Sequence, residues 1–326
     1  MKKFILKRIL ISIPVFLGIT LLVFILSNSA PGSPVEYLLG GDLSDLSKLS
    51  DEKYAEVEQQ LGLDKPLPVQ YGKWLLRLLQ GDFGTSYRTK DAVLDMILSR
   101  LGSTITITLT AILISSVIAI VLGIMSAYKP YSLWDYISSG FSFIGASMPN
   151  FFVGLLLVYF FAVQLKILPS SGVYDSAKNQ NVSSLVKHMV LPVATLCFQQ
   201  IGSLLRQTRG SMLEVLGSDY IRTARAQGLS EARVILRHGL RNALIPILTV
   251  LIGMLPFIVS GAVVTEQIFS WPGLGSLMVQ SINSRDYPVI MGMTVFISGM
   301  ILLSNLILDI AYCFADPRIR HSRNRA

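Results

Sequence analysis

Stretches without Asp, Glu, Lys or Arg alternate with charged ones along the whole chain, at roughly residues 9–29, 101–128, 136–165, 188–205, 242–265 and 287–308. Each approaches or exceeds the ~20 residues with which a helix crosses the hydrocarbon of a bilayer. Strand-length alternation of apolar and polar positions is absent, and backbone groups in lipid must bond within their own segment. The pattern therefore predicts an all-α integral membrane protein with six transmembrane helices. The last span extends to about 314 across Asp309. The first carries a complication: Lys2, Lys3, Lys7 and Arg8 ahead of it and Ser27-Asn28-Ser29-Ala30 behind it imitate a cleavable leader. Its apolar core from Ile9 to Leu26 is longer than the ~7 to 15 residues of such a leader, so the segment is expected to stay as the first helix.

The stretches between the runs divide the chain into an N-terminal part, 1–96, a membrane domain, 97–315, and a basic tail, 316–326. Segment 30–100 is the one long connection and carries folding signals. Ser50 with Asp51 and Glu52 can open a helix that Gly62 closes, and Pro66 and Pro68 then break the chain. From Val69 to Leu79 a second helix is expected, with Val69, Trp74, Leu75, Leu78 and Leu79 approximating one face that packs on the bundle or lies at the membrane interface, followed by a Gly81-Asp82-Phe83-Gly84 turn.

Composition agrees with lipid as the solvent, since 52% of the 326 residues are hydrophobic and only 15% charged, with a mean hydropathy of +0.56. The net charge of +8 belongs to the connections and lacks interleaved aromatics, which argues for topology and against nucleic acid. Sixteen Lys and Arg fall on the side holding both termini and twelve on the other, eight of these in the long segment 30–100, where charge has less influence on orientation. Both termini are thus expected in the cytoplasm, against anionic lipid. Cys197 and Cys313 sit inside apolar runs and provide neither a disulfide framework nor a metal site.

Catalytic chemistry is sparse. The chain lacks GxxxxGK[ST], so any ATP must be hydrolysed by a partner, and it lacks HExxH, while His188, His238 and His321 are dispersed. An ion-coupled carrier needs titratable groups at depth, and Asp309, near the end of the last span, is the one candidate. Ser115, Ser116, Ser138, Ser139 and Ser142 suit helix packing better than nucleophilic catalysis, because none has a buried base beside it. Glycine and proline interrupt several spans, and only Gly253, Pro256 and Gly261 cluster closely enough to suggest a gate or hinge.

The inner loop 206–241 is too long for a connection and reads as two short helices. Ser218 or Asp219 can cap the first, which Gly228 stops in a left-handed conformation, and Ser230 can cap the second. The first displays Arg222 and Arg225 with the small Ala224 and Ala226, a shape suited to a groove on another protein. The same basic helix would also suit anionic headgroups.

Asp219-Tyr220-Ile221-Arg222-Thr223-Ala224-Arg225-Ala226-Gln227-Gly228, continuing to His238-Gly239-Leu240-Arg241-Asn242-Ala243-Leu244-Ile245-Pro246, resembles the coupling-helix signature of binding-protein-dependent ABC importer permeases. The branch is that of the dipeptide/oligopeptide permease B proteins. The generic Glu-Ala-Ala opening of the signature stands here as Arg222-Thr223-Ala224, and its glycine is kept as Gly228. Arg8-Ile9-Leu10 with Ile13-Pro14, Pro31-Gly32, Gly62-Leu63-Asp64-Lys65-Pro66 and the Gly81 to Gly84 turn are similar to the same group. So are the external stretch Glu266-Gln267-Ile268-Phe269-Ser270-Trp271-Pro272-Gly273-Leu274-Gly275, then Arg285-Asp286-Tyr287-Pro288, and Ala315-Asp316-Pro317-Arg318-Ile319-Arg320.

The resemblance implies a type I importer permease bundle in a prokaryotic plasma membrane. It implies a pore shared with a second homologous permease and two cytoplasmic ATPase subunits holding the 219–228 helix. An extracellular or periplasmic substrate-binding protein would deliver the cargo. ATP and Mg would belong to the ATPase partners and no cofactor to this chain. The implied cargo is a di- or oligopeptide, with nickel, glutathione or an oligosaccharide as alternatives within the same group.

Overall fold

The structure is a computed structural model that describes residues 2–29, 56, 58–59, 64–175, 181–260 and 262–315. Of the helix expected between Ser50 and Gly62 only residues 56, 58 and 59 are described, all helical, while Pro31-Gly32, Gly261 and the tail with Asp316-Pro317 lie outside the described residues. The helices are α1 (Lys2–Ser29), α2 (Leu67–Leu79), α3 (Val93–Tyr128), α4 (Leu133–Ser147), α5 (Asn150–Leu157) and α6 (Val182–Leu216). They continue with α7 (Asp219–Ala226), α8 (Glu231–Arg233), α9 (Arg241–Gly253), α10 (Leu255–Ser260), α11 (Val263–Ile268), α12 (Leu274–Asn283) and α13 (Tyr287–Ala315). Seven-residue π-helical stretches, Val158–Gln164 and Val234–Leu240, extend α5 and α8.

Among the described residues five helices are long and apolar enough to cross a membrane, and α4 with α5 makes a sixth if that bent pair counts as one span. The expected continuous helix 136–165 is corrected: the chain turns through 109° between Leu133–Ser147 and Asn150–Gln164. Pro149 supplies the reason, since it offers no N–H and forces Met148 into an extended conformation, φ −83° and ψ 131°. The fourth and fifth spans are also longer than expected. Helix α6 runs from Val182 to Leu216 and the fifth begins at Glu231, because charged residues that look like loop continue the helix beyond the apolar run.

By contacts the chain divides into two compact units, 1–101 with 277–302, and 102–276 with 303–326. In the first, α1 meets α2 through Phe24, Tyr71 and Trp74, whose ring centroids lie 5.5 to 6.1 Å apart, and through the hydroxyls of Thr20 and Tyr71 at 2.9 Å. The packed face of α2 is therefore Tyr71, Trp74, Leu75 and Leu78, a strict i, i+3, i+4, i+7 set. Val69 and Leu79, expected on that face, are 44% and 69% exposed.

In the second unit α6 is central, packing on α4, α5 and α9. It is the least apolar of the five spanning helices yet 61% of its most apolar 18-residue stretch is buried, whereas the same share of α1, the most apolar, is 11%. A helix facing lipid must be apolar all round, while one enclosed by protein can carry His188, Thr195 and Gln200. Small residues let α4 approach it: Ser142 donates to the Gly202 carbonyl, and a Cβ on Gly145 would lie 2.8 Å from the Phe198 carbonyl oxygen. This is the packing role expected for the serines of this region.

Candidate functional site

Helix α6 ends at Leu216 and only Gly217 and Ser218 separate it from α7. Ile221 and Ala224 are buried against Val234, flanked by Val215, Leu216 and Leu229, so one face of α7 is pinned to the chain on either side of it. Ala224, expected on display, is corrected to this inner face. The outer face shows Asp219, Tyr220, Arg222, Thr223, Arg225 and Ala226. Ser218 and Ser230 stand at the N-cap positions without capping through their side chains; Ser218 Oγ instead donates to the Val215 carbonyl at 2.6 Å. Gly228 has φ +76° and its N–H donates to the Arg225 carbonyl at 3.0 Å, a reversal that costs any other residue strain. Arg225 reaches both carboxylate oxygens of Glu231 at 2.9 and 3.4 Å, clasping α7 to α8. The Arg222 to Asp219 pair at 3.7 Å is exposed and contributes little.

Ten residues before α7 begins, α6 carries a group that the spacing of residues does not reveal. Arg209 donates from Nε and Nη2 to the two carboxylate oxygens of Asp135 at 2.6 and 2.8 Å. Ser126 and the Tyr131 N–H donate to the same carboxylate, which is 5% exposed. Nearby, α3 and α6 nearly touch, since a Cβ on Gly123 would fall 2.7 Å from Thr208 Cβ. In sequence Asp135 and Arg209 each lie at the edge of an apolar run and read as separate loop charges. Only the fold joins the α3–α4 turn to the helix that leads into α7.

The 266–275 motif is a buried carboxylate with its supports. Glu266 is fully buried in α11; Oε1 accepts from the Thr104 hydroxyl at 2.7 Å and Oε2 from the Ser276 N–H at 2.9 Å. Thr104 Oγ1 in turn accepts from the Leu274 N–H at 2.7 Å, and Trp271 Nε1 donates to the Ser103 carbonyl at 3.0 Å. Glu266 thus satisfies the backbone where α12 starts. Gly273 and Gly275 leave the space this needs, while Phe269 and Trp271 are buried below, with Pro272 between Trp271 and Gly273. The geometry is that of a structural joint with no group offered to a ligand.

A second pair of motifs meets in the first unit. Asp286 accepts from Ser86 Oγ and from the Tyr87 N–H at 3.0 Å, and Ser86 Oγ accepts from the Thr89 N–H at 3.0 Å. The stretch after Gly81 to Gly84 is so tied to Arg285 to Pro288. Burial, reinforced by the Asp286 charge, pushes the Tyr87 hydroxyl up to about 12. Asp286→Ala should loosen residues 84–92 at a cost of about 1 to 3 kcal/mol, the penalty for orphaned buried donors. Faster amide exchange confined to that stretch is the expected reading; unchanged exchange there would contradict it.

Gly253 and Pro256, two of the three residues expected in a gate or hinge, stand where one helix ends and the next begins. Helix α9 ends at Gly253, Met254 turns, and α10 begins at Leu255 with Pro256 in its first turn, where the missing N–H is tolerated. Thr108 of α3 donates to the Ile258 carbonyl at 3.2 Å. Asp309 sits partly buried in the last turns of α13. No group of three potential metal ligands occurs among the described residues.

Comparison with known proteins follows the same lines. Residues 119–321 match the family model described as "Binding-protein-dependent transport system inner membrane component". Residues 1–108 match its N-terminal companion, described as "Binding-prot-dependent transport system membrane comp, N-term". The oligopeptide transport system permease protein AppB of Bacillus subtilis (strain 168) is 43% identical over 322 residues, which cover 98% of this chain and 100% of that one. The dipeptide transport system permease protein DppB of Escherichia coli (strain K12) is 37% identical over 344 aligned positions, covering 99% and 100%. Among solved structures, a chain from the crystal structure of an amino acid ABC transporter with histidines aligns with a TM-score of 0.51 at 16% identity, over 67% of this chain and 94% of that one. That likeness concerns the fold alone.

Proposed function

The chain belongs to the inner membrane components of binding-protein-dependent transport systems, a multi-pass membrane permease, and from that premise we propose that it forms half of the pore of an ATP-driven importer of di- and oligopeptides. The observation that carries the peptide reading is end-to-end similarity to permeases named for oligopeptide and dipeptide transport. In this reading a second homologous permease completes the pore, a binding protein delivers the peptide from outside, and both termini are cytoplasmic. Two ATPase subunits bind ATP and Mg and grip α7.

The placement of α7 supports that last role. Its inner face is fixed by Ile221 and Ala224 and its outer face is free for a partner, which a helix made only for lipid would not require. Closure of the ATPases would move α7 and, through the two-residue link, α6, the most buried spanning helix. Outward and inward access would exchange as that helix moves against α3 and α4.

The test uses the exposed Thr223. In cells expressing the whole importer, Thr223→Trp should leave the amount of chain in the membrane unchanged. It should lower uptake of a labelled tripeptide about tenfold or more, as obstruction of an interface centre does. Undiminished uptake by that variant sinks the role of α7. Uptake that persists without ATPase partners, driven by an imposed ion gradient, sinks the ATP-driven reading. Uptake of nickel, glutathione or an oligosaccharide in place of peptides would correct the cargo.

A further inference from the structure

The Asp135 to Arg209 pair lies outside the contact that α7 offers a partner, and stability alone does not account for it. Taking two charges out of water is costly, and apolar residues of similar volume commonly serve stability as well or better. What a buried pair does supply is one fixed arrangement. The fork of Arg209, with bonds of 2.6 and 2.8 Å, sets both the distance and the direction of the Asp135 carboxylate. Ser126 near the end of α3 and the Tyr131 N–H in the turn before α4 hold the same carboxylate from their side. Three elements are thus tied at one point, seven residues before α6 ends at Leu216 and ten before α7 begins at Asp219.

The seam between α3 and α6 carries a second, independent sign. Thr208 stands against Gly123 of α3, and its Oγ1 is buried with no hydrogen-bond partner among the described residues. Two turns earlier, Gln200 Oε1 accepts from the Ser115 hydroxyl of α3 at 2.9 Å, while Gln200 Nε2 is buried and likewise without a partner. Buried polar groups are nearly always paired in a native structure, so two that are not, on one helix and along one seam, require a reason. A second position of α6 against α3, in which these groups are paired, provides it. Helices that switch shift against one another by about 1 to 2 Å. A shift of that size stretches the two bonds from Arg209 beyond hydrogen-bond length, so the ion pair and the second position exclude each other.

We propose that Asp135 and Arg209 form a latch that holds α6 in the position described here and opens when the ATPase partners draw α7. The inference rests on the reading of the chain as an ATP-driven importer. Both are positioning residues, whose part is to set when α6 moves. With the latch formed, closure of the ATPases has to break a buried ion pair, so it is rare until the binding protein delivers cargo. Without the latch the ATPases close on an empty pore, and hydrolysis proceeds without transport.

The experiment uses the complete importer in phospholipid vesicles and measures ATP hydrolysis with and without the binding protein and trialanine, alongside uptake of the labelled trialanine. Asp135→Asn with Arg209→Met removes both charges and leaves no carboxylate stranded. It should raise the ratio of hydrolysis without cargo to hydrolysis with cargo about fivefold or more, the lower end of couplings between sites. Arg209→Lys keeps the charge and gives up the fork. It should raise the same ratio by a smaller factor, and it carries the test if the double variant fails to reach the membrane. An unchanged ratio overturns the latch and leaves the importer reading intact, whether the two rates stay at the wild-type level or fall together as the loss of a merely structural tie would make them. Wild-type vesicles in which ATP drives no uptake overturn the importer reading and the latch together.

Discussion

Arg209→Ala is expected to destabilise the protein by about 3 to 5 kcal/mol, because it strands the Asp135 carboxylate away from water. Asp135 is 5% exposed and its bonds from a charged donor, at 2.6 and 2.8 Å, both come from that one guanidinium. Ser126 and the Tyr131 N–H remain, which lessens the loss without supplying a charge. Asp135→Ala should cost less, since the Arg209 side chain is 28% exposed and can be hydrated. The double variant Asp135→Asn with Arg209→Met should recover most of what Arg209→Ala loses, as removing both charges removes the need for pairing. Thermal unfolding of the detergent-solubilised protein measures all of these. Singles that melt within about 1 kcal/mol of the wild type would place the pair among surface bridges of little worth.

Gly275→Ala carries the second large effect. Its new Cβ would stand 2.5 Å from Val263 Cα and 3.0 Å from Glu266 Oε2, and the nearest of these atoms is backbone that cannot swing aside. Relief requires α11 to move away from the start of α12, which stretches the Glu266 to Ser276 bond of 2.9 Å. A loss of about 3 kcal/mol or more follows from overpacking combined with a broken buried hydrogen bond. Gly273→Ala should behave alike, since its Cβ would run into Glu266 Oε1 and Thr104 Oγ1. Gly18→Ala is the control: nothing lies within 4 Å of that Cβ, and alanine inside a helix should be neutral or stabilising by about 0.5 to 1 kcal/mol. Equal melting of Gly275→Ala and Gly18→Ala would remove the steric account of the 266–275 motif.

These effects also bear on transport. The ion pair ties the α3–α4 turn to α6, and α6 runs on into α7 with two residues between. A partner that pulls on α7 pulls on the element that holds Asp135.

Much of the fold is determined by the sequence taken alone. Apolar runs of spanning length specify helices, because lipid leaves the backbone no other partner. Gly228 specifies a left-handed stop, because only glycine takes φ +76° without strain. The ordered motifs from Asp219 to Gly228 and from Glu266 to Gly275 specify the family. Tertiary structure alone decided which face of each helix is covered, and periodicity misjudges this in lipid, where an apolar side chain gains nothing by pointing inward. Val69 and Leu79 lie exposed while Tyr71 is packed, Ala224 is hidden while Tyr220 is shown, and polar α6 is the buried centre of its unit. The same holds for contacts far apart in the chain. Asp135 with Arg209, Thr104 with Glu266, and Ser86 with Asp286 are unremarked singly, and only folding brings each carboxylate to the donors that make its burial possible.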